Sequence, residues 1–193
     1  MKNVAHQIVD LLKNAGIKRI YAVTGDSLNF FNEAVHADGT MQWIHVRHEE
    51  AGAFAATAEA DLHGIACCAG SSGPGHVHLI NGVYEAHKTR VPMLVIASTC
   101  ATYEFGTDYF QETNPIKLFD DCSCYNQMIT RPEQVQRMVQ NALQQAISKR
   151  DVAVIGLPGD VSEMEAVDMN TSSKVFFTEP QVRPSDMEIG GLA

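Results

Sequence analysis

No apolar run in this 193-residue chain approaches the ~18 residues that a membrane-spanning helix needs. The N-terminal stretch MKNVAHQIVDLLKNAG lacks both the apolar core and the cleavage pattern of a secretory signal. A cytoplasmic protein without a transmembrane segment is therefore expected, and any peripheral membrane contact would have to come from other regions. There is no cluster of lysine and arginine; 14 basic residues face 23 acidic ones, for a net charge of −9. That balance excludes a nucleic-acid footprint. The five cysteines (Cys67, Cys68, Cys100, Cys122 and Cys124) contain no C-x-x-C pair. An odd count without a secretion signal reads as reduced thiols. Cys122 and Cys124 lack the second pair that a structural zinc site requires. Neither G-x-x-x-x-G-K-[S/T] nor G-x-G-x-x-G is present, so neither nucleotide fingerprint is met. Internal repeats and low-complexity tracts are absent, and no Ser/His/Asp arrangement is readable from local spacing.

What is present alternates between two periods. Val4, Ile8, Leu11 and Leu12 have helical spacing, and Gly16 stops that helix. A short apolar strand follows at 19–23, then TGDSLN, where Asp26 or Ser27 can cap a helix reaching about Ala37. Strands are predicted at 42–46, 65–70, 91–98, 124–129 and 152–158, and helices at 49–62, 76–89, 115–121 and 132–149. The last helix has Pro132 at its start and an apolar stripe from Val135 to Ile147. Residues 100–113, CATYEFGTDYFQET, read as a long irregular loop whose aromatics argue against disorder. Unbroken apolar strands alternating with helices predict an α/β fold, a parallel sheet covered by helices on both faces. Ligands in such sheets bind beyond the carboxyl ends of the strands. TGDS, RHEE, GSSGPG and the aromatic loop all fall on that rim. After Val161 no helical or alternating pattern is readable, and residues 162–193 are expected to be a linker in a fragment of a longer protein.

Three groups on the rim invite chemistry. Gly70, Gly73 and Gly75 suit close backbone approach to a ligand, though the glycines alone favour an ordinary strand-to-helix turn. His76 and His78, with His48 and His87, raise a metal reading, but residues two apart on a helix face different ways, so no metal site is assigned. Glu49 and Glu50 open an alanine-rich helix, AGAFAATAEA. Capping explains one acid there. A carboxyl desolvated against such small residues could instead hold or donate a proton near neutrality.

Six blocks in order (VTGDSLN, VRHEEAGAFAA, CAGSSGPGHVHLINGVYEA, VPMLVIAS, GTDYFQE and IGLPGDV) carry a family likeness. Together they resemble the N-terminal pyrimidine-binding (Pyr) domain of thiamine-diphosphate enzymes, nearest the flavin-containing pyruvate oxidases and quinone-linked pyruvate dehydrogenases. The likeness spans roughly residues 3–161. It implies a Pyr domain over 1–161 and a linker over 162–193 toward a flavin-binding middle domain. It assigns Glu49 to a hydrogen bond with the aminopyrimidine ring, activating the cofactor toward pyruvate, and leaves Glu50 structural. It carries Gly25, Asp26 and Ser27 to a loop beside the reacting centre, and Ser72, Gly73 and Pro74 to the turn facing the aminopyrimidine. His78 matches a polar position approaching the cofactor. Phe110 and Gln111 match residues that shape the substrate pocket.

The resemblance also says what this stretch does not contain. Such enzymes bind Mg2+ and the diphosphate through a C-terminal PP domain marked by G-D-G, and no G-D-G occurs here. FAD and Mg2+ are therefore expected only in the full-length enzyme, and the isolated chain is expected to be inactive. Each active site is expected between this domain and the PP domain of a neighbouring subunit, in a homo-oligomer, with a dimer for this domain and a tetramer in full length. Two other readings stand beside it. Acetolactate synthase shares the R-H-E, GPG and FQE blocks, and a stand-alone Pyr-like binding or regulatory domain would need no partner domains.

Overall fold

The computed structural model describes residues 2–169 and 181–191. Six strands, β1 (Arg19–Ala22), β2 (Gln42–His45), β3 (Ala66–Gly70), β4 (Met93–Thr99), β5 (Tyr125–Met128) and β6 (Val152–Pro158), form one sheet. Their order is β2-β1-β3-β4-β6-β5, and every pairing is parallel. The helices are α1 (Val4–Asn14), α2 (Asn29–Asp38), α3 (Glu49–His63), α4 (Pro74–His78), α5 (Ile80–Thr89), α6 (Pro115–Leu118), α7 (Val135–Lys149), α8 (Gly159–Glu163) and α9 (Asp186–Gly190).

The sheet separates two cores, as the unbroken apolar strands predict. One side packs Ile8 and Leu12 of α1, Phe31 of α2 and Leu143 of α7 against Ile20, Cys67, Leu94 and Ile155. The other packs Ala53 and Ala56 of α3 and Val83 of α5 against Cys68, Met93, Val95 and Val154. Adjacent Cys67 and Cys68 thus enter opposite cores, as the two-residue strand period requires. Both are inert thiols; burial pushes Cys68 to about 12 and Cys67 well above its ordinary value.

Strand order reverses between β1 and β3. A ligand site is expected beyond the carboxyl edge at this switch point. The loop after β1 holds Gly25 to Leu28, and the loop after β3 holds Ser71 to Gly73.

Several boundaries differ from the sequence reading. The helix expected over 76–89 starts earlier, because Pro74 takes the first helical position, and it breaks at Leu79 into α4 and α5. The first turn at Pro132–Gln134 is a tighter 3-10 turn, so α7 begins at Val135. Neither Asp26 nor Ser27 caps α2 with its side chain; Asp26 accepts from the Ser27 N–H and Ser27 reaches another loop. The region after Val161 is not patternless. α8 runs to Glu163, Ala166 N–H donates to the Lys2 carbonyl at 3.0 Å, and Val4 N–H donates to the Met164 carbonyl at 2.9 Å. Further on, α9 is started by a capping box between Ser185 and Glu188. Residues 170–180 of the expected linker lie outside the described residues.

Candidate active site

The rim is assembled by close approaches that only small residues allow. A Cβ at Gly25 would stand 2.3 Å from Ser71 Oγ, so the loops after β1 and β3 touch at a glycine. A Cβ at Gly70 would lie 2.5 Å from His76 Cα, which lets α4 fold back on its own strand. Gly73 sits at φ +66°, a left-handed conformation, with the Gln111 backbone 3.2 Å from where its Cβ would be. In each case backbone meets backbone or a short side chain, and the spacing leaves no room to add an atom.

Hydroxyl groups then lace the loops together. Ser27 Oγ accepts from the Ser72 N–H at 2.9 Å and lies 2.9 Å from Ser71 Oγ. Ser98 Oγ, at the end of β4, lies 2.8 Å from the Ser27 carbonyl and 2.9 Å from the Leu157 carbonyl. Ser72 Oγ donates to Gln111 Oε1 at 3.3 Å. Four strand ends are joined through buried or half-buried serines, so the rim behaves as one unit. A cleft of about 310 Å³ opens among these loops, lined by Asp26, Ser72, Thr99, Gln111 and Asp160 among others.

His76 is the interior pin of this arrangement. It is fully buried, its Nδ1–H donates to the Ser98 carbonyl at 2.7 Å, and its Nε2 accepts from the Thr113 hydroxyl at 2.7 Å. Burial holds the imidazole below its ordinary value of 6.5, against the opposing pull of the Ser98 carbonyl. A neutral ring is what this donor–acceptor pair needs. His76 thereby ties α4 to β4 and to the segment carrying Gln111.

Neither acid at the start of α3 supplies its side-chain cap, contrary to the capping expectation. His48 is the N-cap, its Nδ1 accepting from the Glu50 N–H at 3.3 Å. Capping therefore needs neither carboxylate. The Glu49 side chain is 12% exposed. Its Oε2 accepts from His78 Nδ1 at 3.0 Å, and the His78 ring stacks on His48 with centroids 4.5 Å apart. Its Oε1 lies 3.6 Å from the point where a Cβ on Gly75 would stand. Among the described residues no hydrogen bond reaches Oε1. The glutamate is thus sheltered, half-engaged, and turned toward the glycine–proline turn.

Of the residues singled out from sequence, Glu49, His78 and the Gly73–Gly75 turn meet in one place. Asp26, Ser27, Ser72 and Gln111 meet in the adjoining cleft, and Gly25 packs beside it against Ser71. Phe110 joins neither group; it is 82% exposed and its ring tilts against Tyr109 at 4.8 Å. His76 and His78 diverge, as their spacing requires. Sequence reasoning missed Ser71, Ser98, Thr113 and the capping role of His48. A serine closing the apolar run VPMLVIAS was the one available signal for Ser98.

These features define a Pyr-type domain of a thiamine enzyme. A family model described as thiamine pyrophosphate enzyme, N-terminal TPP binding domain, matches residues 2–118, and the chain belongs to that family. It is 44% identical over 192 residues to an uncharacterized 42.6 kDa protein in isoamylase 3'region of Pseudomonas amyloderamosa, covering 98% of this chain and 48% of that protein. It is 33% identical over 184 residues to the pyruvate oxidase of Lactiplantibacillus plantarum, covering 91% of this chain and 30% of that one. It is 32% identical over 163 residues to a probable acetolactate synthase large subunit of Methanocaldococcus jannaschii, covering 83% and 27% respectively. The chain thus spans half or less of the length of these relatives. No helix among the described residues is long and apolar enough to cross a membrane.

Proposed function

We propose that residues 1–161 are the aminopyrimidine-binding domain of a thiamine-diphosphate- and FAD-dependent pyruvate oxidase or quinone-linked pyruvate dehydrogenase, with 162–193 leading toward the flavin domain. The single observation carrying this reading is the asymmetry of Glu49. One carboxylate oxygen is held by His78, while the other faces a glycine and has no partner among the described residues. An acceptor left open on a sheltered carboxylate can take a donor from outside the chain. The residues present fit the aminopyrimidine half of the cofactor, because the missing Cβ of Gly75 leaves a flat approach to Oε1.

In this reading Glu49 shares a proton with a ring nitrogen, and its shelter from water strengthens that bond. His78 keeps the carboxylate from rotating away. The turn at Ser72, Gly73 and Pro74 presents backbone to the ring, and the hydroxyl network from Ser27 to Ser98 fixes that turn. Gln111 borders the substrate space, and Phe110 closes it once a partner covers the exposed loop. When bound, thiamine diphosphate supplies the electron sink for decarboxylating a keto acid such as pyruvate. Mg2+ and the diphosphate fall to the PP domain of a neighbouring subunit.

Glu49→Gln in the full-length enzyme should lower turnover by about a hundredfold or more, the scale of losing a positioned proton-transfer group. Undiminished turnover would sink the assignment. The isolated chain should give no turnover with added thiamine diphosphate, Mg2+, FAD and pyruvate. An acetolactate synthase is the second reading, favoured by relatives of similar identity. Product analysis separates the two, acetate or acetyl phosphate against acetolactate.

A further inference from the structure

Three side chains of metal-ligating type converge where α3 and α4 meet. One ligand atom each from His48, Glu49 and His78 all lie within 4.8 Å of one another. Two imidazoles and a carboxylate are the donor set of three-ligand zinc sites, which keep a fourth position open. They suit a borderline transition dication, whereas Mg2+ prefers an all-oxygen shell.

Two of the three ligand atoms already stand near the distance an ion would set. His78 Nδ1 and Glu49 Oε2 are already 3.0 Å apart, about the separation of two ligands on one tetrahedral zinc. The two rings stand 4.5 Å apart at 25°. Two imidazoles on one tetrahedral zinc have ring centres roughly 5 Å apart and radiate from the ion, so the stack must open and the rings must turn. Both histidines can make that movement, since His48 is exposed and the His78 side chain is 45% exposed. The other paired histidine behaves differently. His87 meets Asp151 at 2.8 Å, but Arg90 also reaches that carboxylate at 3.1 Å, and its fixed positive charge already neutralises it. Glu49 has no such competitor among the described residues, where its ion-pair partner is His78 alone.

We propose that His48, Glu49 and His78 form a binding site for a zinc-class dication at the N-terminus of α3. Ligation by His48 ends its cap on Glu50. Its Nδ1 must then either face the ion or carry the ring's proton, and in neither state can it accept from the Glu50 N–H. The freed amide is exposed to water. The ion takes the carboxylate that the proposed function gives to a ring nitrogen, so the two ligands exclude one another; this consequence alone rests on that reading.

The test is a titration of the chelator-stripped full chain with Zn2+ by calorimetry and with Co2+ by visible absorption. The expected result is one ion per chain, a tetrahedral Co2+ spectrum, and a shift of the Glu50 amide resonance. His48→Ala and His78→Ala should each weaken binding by about tenfold or more, with His78→Asn as a second variant should the alanine form misfold. Excess Mg2+ should not compete. Absence of Zn2+ binding at about 100 µM, or affinity unchanged in both histidine variants, overturns the proposal. The titration contains no thiamine, so its failure leaves the cofactor reading standing. The turnover test of Glu49→Gln can fail with the metal site intact.

Discussion

Gly82→Ala in α5 should destabilise this protein, although the same exchange in an ordinary helix stabilises. α3 and α5 cross at Gly82 with almost no space between them. A Cβ there would stand 2.4 Å from Ala53 Cβ, 2.8 Å from Phe54 N and 2.9 Å from the Ala53 carbonyl carbon. Carbon atoms need about 3.5–4.0 Å, so the helices must part by roughly 1 Å. Two of the three obstacles are backbone, which cannot turn aside as a flexible side chain would. Overpacking of this kind costs about 1–3 kcal/mol, and backbone contacts place it at the upper end. The exchange returns about 1 kcal/mol through helix propensity. The net loss is about 2 kcal/mol, a fall in Tm of roughly 4–8 °C for a domain of this size. Circular dichroism melts of the wild type and the variant measure it. Adding Ala53→Gly should recover part of the loss, because it removes the nearest atom but leaves Phe54 N in place. An unchanged or raised Tm for Gly82→Ala alone would refute the close-crossing argument.

His76 should make the fold sensitive to mild acid. Its folded value lies below the ordinary 6.5, so the unfolded chain binds the proton more readily; its contribution is complete above pH 6.5 and is lost as pH falls toward the folded value. Melts of wild type and His76→Gln between pH 8 and 5 should therefore converge as pH falls, and parallel curves would exclude the effect. Asp38 should act at lower pH. Its bond to Lys13, with help from Thr40 and Met41, holds the carboxyl below its ordinary 3.8, so this stability is present above that value and fades as pH falls below it. Asp38→Asn should cost about 1–3 kcal/mol at pH 7 and progressively less as pH falls below 3.8, read by denaturant titration. The chain should also self-associate through the face carrying Phe54, which is 42% exposed, and sedimentation at micromolar concentration showing only monomer would count against this.

The order of elements was legible because each rests on a local rule. Short apolar runs bounded by turn signals placed all six strands, and period-3.6 patterns placed the long helices. What local rules miss is how elements meet. The break at Leu79 leaves no mark in the hydrophobic pattern, since Val77, Leu79 and Ile80 read as a continuing helix. α9 did leave a mark, Ser185 followed three residues later by Glu188, and it was passed over for want of an apolar stripe. In the site, the unusual smallness of the helix behind Glu49 singled that residue out, and the resemblance supplied its expected role. The structure gives that smallness its reason, since Ala53 must admit Gly82 and Gly52 must admit Val46, whose Cγ2 lies 3.1 Å from the missing Cβ. His48 was not legible as a cap, because histidine rarely serves as one and its acceptor nitrogen depends on a tautomer that sequence does not specify.

The charge on this rim bears on what the domain can do alone. The residues lining the cleft include Asp26, Glu104, Asp160 and Glu163, with no lysine or arginine among them. Three of these acids are engaged by the loops themselves. Asp160 accepts from Thr102, Glu104 from the Ala101 N–H and Asp26 from the Ser27 N–H. Their negative charge remains, and it adds to a chain already at −9. A diphosphate group brought against this edge would meet like charge with no compensating cation, which costs binding energy however well the other end fits. In the proposed reading, the uncharged aminopyrimidine takes the open oxygen of Glu49, and this edge suits the neutral end of the cofactor better than the anionic end. Cations for the diphosphate would then come from a surface other than this cleft, and this electrostatic split is a physical reason for the proposed placing of such a site between two domains.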